Sequence, residues 1–240
     1  MTVKGLRETS LEEAKRIRST YAERDSRLAN RDVYSLTNKA YLFTYQQRQR
    51  ALLRALEREG LWPLDNKKIL EVGCGTGGVL QEFLGLGAMP SGLHGTDLLE
   101  DRLQIARVHG PHLALNCSDG GFLPYPPETF DLVLQFTVFS SILDQRVCYT
   151  VSQEMVRVLK PGGLILWYDF WLNPMNMQTH GIRPATIRRY FPNSRLTFER
   201  VTLAPPIARR LVPITWIGSM LLERISIFNT HYLATIRPGS

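Results

Sequence analysis

The stretch from Ile69 to Leu84 constrains the fold of this chain more than any other. Ile69 to Val72 reads as a short buried strand. Gly73, Gly75, Gly77 and Gly78 break it, and Val79, Leu80, Phe83 and Leu84 resume at helical spacing. Glycines in such a turn permit φ > 0 and leave no side chain between main chain and ligand. The following helix presents free N–H groups and the positive end of its dipole to the turn. A strand–turn–helix of this kind holds a nucleotide-like cofactor at the carboxyl ends of a parallel sheet.

Gly73, Gly75 and Gly78 satisfy the dinucleotide fingerprint G-x-G-x-x-G, and Asp97 stands at a suitable distance for a ribose. The full stretch has Glu71 two residues before the first glycine and the core Gly73-Cys74-Gly75-Thr76-Gly77. It resembles motif I of the class I S-adenosylmethionine-dependent methyltransferases. An acid beside the turn opposes an anionic pyrophosphate but suits a cofactor that carries an ammonium and a sulfonium. Two later stretches extend the resemblance. Phe130-Asp131-Leu132-Val133 is similar to the family's fourth strand, and Leu159-Lys160-Pro161-Gly162-Gly163 to the turn before its fifth. The resemblance covers residues 69–169. It implies an α/β, Rossmann-like, doubly wound and mostly parallel seven-stranded sheet with an antiparallel edge strand. S-adenosyl-L-methionine is the implied cofactor.

On that resemblance Glu71, Gly73, Gly75, Thr76 and Gly77 belong to the cofactor site. Gly92 to Leu98 reads as the second strand, and Asp97 at its end can accept both ribose hydroxyls, with Leu98 against the adenine. The third strand, Leu113 to Asn116, leads to Asp119 and Gly120. That pair reads as an Asp-Gly turn. The family implies a second role there, Asp119 accepting the adenine amino group and Gly120 leaving backbone open to the ring edge. Gln135, ending the fourth strand, is expected against the methionine portion.

The chain has 240 residues, 44% hydrophobic and 21% charged, which describes one ordinary globular domain with a sizeable core. Three scattered cysteines give no disulfide framework and no zinc-type pair, which fits a reducing compartment. A polar start and the lack of any membrane-length apolar run lead to a cytoplasmic expectation. Charge is uneven. Residues 1–60 hold 13 Lys+Arg against 8 acids, residues 61–176 hold 7 against 12, and residues 177–240 hold 9 arginines against 2 acids. Basic flanks suit nucleic acid, an anionic membrane or an anionic substrate, or simply keep the protein soluble.

Residues 1–60 form an expected helical cap, with helices near 6–30 and 39–59, ahead of a core over 61–240. Tyr21, Arg24, Tyr34, Asn38 and Tyr41 are its candidate substrate-facing residues, packing being the competing role for the tyrosines. Beyond the fifth strand a short helix (183–190) and two strands (196–203 and 231–236) are expected. A helical insertion over 206–229 precedes the last strand. Its stretch 207–228 carries Arg209, Arg210 and Trp216 and suits internal packing, a subunit contact in a homodimer, or peripheral membrane contact.

Methyl transfer from a sulfonium is an in-line displacement of an already activated group, so proximity and exclusion of water dominate. A hydroxyl acceptor also benefits from a base. Asp169 and His180 are the candidates for that role, with Ser140 a further substrate-side residue. No second acid adjoins Asp169, so metal independence is expected. The fourth strand lacks the Asn/Asp-Pro-Pro-Tyr/Phe sequence of amino-methylating enzymes, and no appended RNA-binding domain is visible. The expected reaction is therefore O-methylation of a small-molecule, sugar or lipid-linked acceptor. The alternatives are an RNA methyltransferase using the basic flanks, which the sequence disfavours, and a non-catalytic partner subunit.

Overall fold

The computed structural model describes residues 3–28, 35–172 and 179–239, with side chains omitted at 3–10 and 24–28. Tyr34 and the side chain of Arg24, two of the expected cap residues, lie outside what is described. Two long helices, α1 (Val3–Leu28) and α2 (Lys39–Arg58), precede the sheet. Asn38 caps α2, its side-chain oxygen accepting the N–H groups of Ala40 and Tyr41 at 3.1 and 3.3 Å.

The core then alternates: β1 (Ile69–Val72), α3 (Gly78–Gly85), β2 (Leu93–Asp97), α4 (Glu100–His109), β3 (Ala114–Cys117), β4 (Phe130–Phe136), α5 (Gln145–Val158) and β5 (Leu159–Phe170). After β5 come α6 (Pro184–Tyr190), β6 (Ser194–Leu203), α7 (Pro205–Leu211), α8 (Trp216–Glu223) and β7 (Asn229–Pro238). The seven strands lie in the order β3-β2-β1-β4-β5-β7-β6. β1 to β5 run parallel, and β7 is antiparallel to both β5 and β6. The expected antiparallel strand is thus present, seated one place inside the edge formed by β6.

Period-two alternation splits the sheet into two covered faces. Leu132, Leu134, Leu164 and Leu166 pack with Leu52 and Leu56 of α2 and with Leu80 and Phe83 of α3. Val133, Ile165 and Trp167 pack on the other side with Val151 and Met155 of α5 and Ile187 of α6.

The two later sequence motifs meet at the amino end of β4. Pairing passes from Phe130↔Leu159 to Leu132↔Leu164, so residues 160–163 bulge from the ladder opposite Asp131. Lys160 Nζ reaches Asp131 Oδ1 at 2.9 Å, and the Lys68 N–H donates to Asp131 Oδ2 at 2.8 Å. The insertion is two short helices, α7 and α8, rather than one. It packs through Ala208 and Val212 on Ala40 and Phe43 of α2 and on Leu203 of β6.

Candidate functional site

A cleft of about 340 Å³ opens at the carboxyl ends of β1, β2 and β4. Its floor is the glycine turn, and α1 and α2 supply the opposite wall through Ile17, Tyr21, Tyr41, Tyr45 and Arg48. Of the expected cofactor residues it gathers Glu71, Gly73, Gly75, Thr76, Asp97, Leu98, Asp119 and Gly120.

The turn is shaped for close approach. Gly73 has φ 74°, and a Cβ there would come within 2.3 Å of Val138 Cγ2, so no side chain fits. Asp97 is bound to the same turn. Its Oδ2 accepts the Gly75 N–H at 2.7 Å and its Oδ1 the Leu99 N–H at 2.8 Å. Each oxygen keeps acceptor capacity after those bonds, which suits a pair of vicinal hydroxyls. Asp119 forms the expected turn and also stands in the cleft lining. Its Oδ1 accepts from Gly121 and Phe122, closing an Asx-type turn.

Glu71 is only 2% exposed, and its Oε2 has no hydrogen-bond partner among the described residues. Burial, followed by the neighbouring Asp97 charge, holds its carboxyl well above the usual range. A buried acid at the cleft floor with an unused oxygen calls for a cationic partner. The donor set therefore fits S-adenosylmethionine: an acid for its ammonium, a paired acceptor for its ribose, and a turn too tight for side chains.

Beyond Glu71 the cleft becomes aromatic. Tyr45, Phe136 and Tyr168 surround the Arg48 guanidinium, whose carbon lies 5.5, 5.7 and 5.5 Å from their ring centres. Arg48 is held there by Glu82 at 2.6 Å, whose side chain is 0% exposed. The Tyr168 hydroxyl lies 2.6 Å from Thr202 Oγ1, and burial pushes its pKa up to about 12. Behind Tyr168 the His231 ring stacks at 4.6 Å, and burial pushes that imidazole down to about 3, leaving it neutral.

The cap helix α1 is fixed across this opening. The Leu143 N–H donates to Glu13 Oε1 at 2.6 Å, and Arg16 donates to the Ser141 carbonyl. Tyr21 lies 3.4 Å from Ser141 Oγ and carries the Arg102 guanidinium 4.5 Å over its ring.

Several expected residues are placed elsewhere. Gln135 and Asp169 do not line the cleft. Alternation along β4 and β5 turns Phe136 and Tyr168 toward α2, and hence Gln135 and Asp169 toward the α5 side. There Gln135 Nε2 donates to Asp169 Oδ2 at 2.8 Å, with both residues buried. Asp169 also accepts from the backbone of Ser140 and Phe170, so its oxygens are engaged away from any acceptor. Ser140 is 1% exposed and outside the cleft, which its neighbour Ser141 lines instead. His180 is also outside the lining. Its backbone N–H donates to the Ser140 carbonyl at 3.0 Å. Burial and the nearby Arg16 charge lower its pKa. Asn38 is the cap of α2 rather than a cleft residue. Gly77 has φ 81° and is the amino cap of α3, packed toward Ala106 and Leu113, while Gly78 lines the cleft.

Arg48, Glu82 and Arg102 escaped the sequence reading. Tyr41, Tyr45 and Arg48 lie at helical spacing on one stripe of α2, and that arginine within a tyrosine stripe was the available signal.

A family model described as a methyltransferase domain matches residues 69–163. The fatty-acid O-methyltransferase of Mycolicibacterium smegmatis is 36% identical over 108 residues, 44% of this chain and 38% of that one. A ubiquinone biosynthesis O-methyltransferase of Rhizobium etli is 34% identical over 170 residues, 69% of this chain and 65% of that one. The chain thus spans less than two thirds of the length of either relative. Among solved structures, an S-adenosylmethionine dependent methyltransferase from Mesorhizobium loti superposes with a TM-score of 0.56 at 19% identity. That match covers 78% of this chain and 98% of the other.

Proposed function

We propose that this chain, which carries a methyltransferase domain of the class I S-adenosylmethionine-dependent type, O-methylates a small or lipid-linked acceptor with S-adenosylmethionine as its cofactor. One observation carries the reading. A single cleft runs without interruption from the glycine turn at Gly73 to the aromatic chamber of Tyr45, Phe136 and Tyr168. The names of the two curated relatives support oxygen as the methylated atom and an apolar compound as the acceptor.

Bound there, S-adenosylmethionine supplies a methyl group already activated on a sulfonium. Glu71 would hold its ammonium, Asp97 its ribose, and Asp119 with Leu98 its adenine. The chamber residues then orient the acceptor. Tyr168 and Phe136 give it apolar walls, and Arg48 offers hydrogen-bond donors to an acceptor oxygen. Tyr21 and the α1 wall exclude water, which matters in a displacement whose barrier is lowered chiefly by alignment and desolvation. Asp169 and His180 lie outside the cleft and take no proton in this scheme. The acceptor oxygen is therefore methylated as its anion, having given its proton to bulk solvent before entering the cleft.

The test uses S-adenosylmethionine with a labelled methyl group, incubated with the protein and separate small-molecule, lipid and RNA extracts of the source cells. Label in a base-stable small-molecule or lipid ether, or in a base-labile ester, is the expected result. Label confined to RNA would overturn it.

A further inference from the structure

The insertion between β6 and β7 carries a surface that the methyl-transfer cleft does not use. Helix α8 is amphipathic in the inverted sense. Its inner face is fixed by Trp216, whose ring meets Phe43 at 5.1 Å, and by the fully buried Ser219. Its outer face presents Ile217, Met220 and Leu221, at i, i+3 and i+4, and ends in Arg224 at i+7. Ile217 is 72% exposed and Leu221 61%. Ile214 before the helix and Ile227 after it are 82% and 69% exposed, so the apolar surface continues past both ends.

The exposed charges within the insertion have one sign. Residues 204–228 contain Arg209, Arg210 and Arg224, all exposed, and one acid, Glu223. That acid turns inward and is held by Arg50 of α2 at 2.8 Å, its side chain 14% exposed. The insertion therefore turns exposed apolar side chains outward, and the exposed arginines it carries have no acid paired with them among the described residues. No helix among the described residues is long and apolar enough to cross a membrane.

We propose that the α7–α8 insertion is an interfacial docking surface for anionic lipid bilayers, with Ile217 and Leu221 entering the acyl boundary and Arg209, Arg210 and Arg224 meeting lipid phosphates. A second copy of the chain fits less well. A two-fold contact sets a patch against itself and would bring this arginine cluster onto its own duplicate. The position also has a use. Helix α2 carries Phe43 under α8 and Tyr41, Tyr45 and Arg48 into the cleft, so one rigid element joins the docking surface to the acceptor chamber. The proposal stands apart from the identity of the acceptor, because it is read by lipid binding alone.

The experiment is flotation of the full chain with unilamellar vesicles, of phosphatidylcholine alone or mixed with phosphatidylglycerol. Two double variants accompany the wild type, Ile217→Ser with Leu221→Ser, and Arg209→Glu with Arg210→Glu. Wild type is expected to float with the anionic vesicles and to be released as salt rises. Each variant should lose about tenfold or more in bound fraction. All four positions are exposed, so circular dichroism and S-adenosylmethionine affinity should match wild type, which separates lost docking from lost folding. Three results would overturn the proposal. One is no flotation of the wild type, and another is flotation indifferent to both variants. The third is a wild-type dimer in light scattering that Ile217→Ser with Leu221→Ser dissociates, without vesicle binding.

Discussion

Asp169 Oδ2 accepts the backbone N–H of Ser140 at 3.0 Å, tying the middle of the sheet to the turn over 139–141 that forms one lip of the cleft. The same oxygen receives Gln135, and Oδ1 receives the Phe170 N–H. The carboxylate positions a wall of the cleft and touches nothing inside it.

Burial raises the Asp169 pKa from 3.8 to about 6 despite those bonds. A folded-state value above the unfolded one means that the folded state holds the proton more tightly, so this group's contribution to stability falls as pH rises from about 4 to about 6. Asp169→Asn keeps the size but sets an amide N–H₂ against backbone donors. It should cost about 1–3 kcal/mol. Thermal midpoints of both proteins across that range should show the wild-type advantage shrinking as pH rises; a constant gap would refute the assignment.

Glu71 has the same sign, again chiefly from burial, with the Asp97 charge adding to it. Its raised pKa makes the cofactor-free protein less stable as the carboxyl ionises, and a bound ammonium would relieve that cost. Glu71→Gln should raise the melting temperature of the cofactor-free protein at mildly alkaline pH. It should also weaken S-adenosylmethionine binding about 10- to 100-fold. Calorimetry reads the second effect, and loss of stability together with unchanged affinity would argue against the ammonium contact.

Asp97→Ala removes acceptors for the ribose and also the partner of the Gly75 N–H. Cofactor affinity should fall by about 1–3 kcal/mol. Adenosine as a competitor distinguishes the causes. A ribose contact predicts that adenosine binding falls in parallel with that of S-adenosylmethionine.

The Arg48–Glu82 pair is buried, and breaking such a pair strands a charge. Glu82→Ala should destabilise the protein by about 3–5 kcal/mol, and adding Arg48→Met should recover part of that loss. Urea denaturation of the single and double variants measures it. Equal stability of the two would mean that water already solvates Arg48.

His180 tests the reading from the other side. Because it lies outside the cleft, His180→Gln should leave the pH profile of methyl transfer unchanged. A lost or shifted basic limb would restore the histidine as a base.

The sheet and the cofactor half of the cleft were legible because local sequence specifies them. The glycines of the first turn, Asp97 at a strand end and the Lys160-Pro161-Gly162-Gly163 bulge are each marked by a short local pattern, although Asp97 acts on Gly75 and Lys160 on Asp131 in other parts of the chain. The acceptor half was not. Arg48 matters through Glu82, which is 34 residues away, and the chamber exists only where one face of β5 meets α2. Gln135 and Asp169 were misplaced by one step of strand alternation, since a strand end tells which residues come last but not which way each faces. Asn38 was mistaken for a substrate contact because a polar residue before a helix carries the same composition whether it caps or binds.

Strand β7 lies between β5 and β6 and is the last of the three in chain order. As the chain leaves the ribosome, β6 and the α7–α8 insertion therefore emerge before the strand on which β6 is hydrogen-bonded. Until β7 slides into its slot, β5 keeps an open flank and β6 has no ladder. The Tyr168–His231 stack that backs the acceptor chamber joins β5 to this late strand. Every strand that borders the cofactor half has been synthesised once Phe170 is added, whereas the backing of the acceptor chamber is complete only once the chain from residue 229 onward has been made.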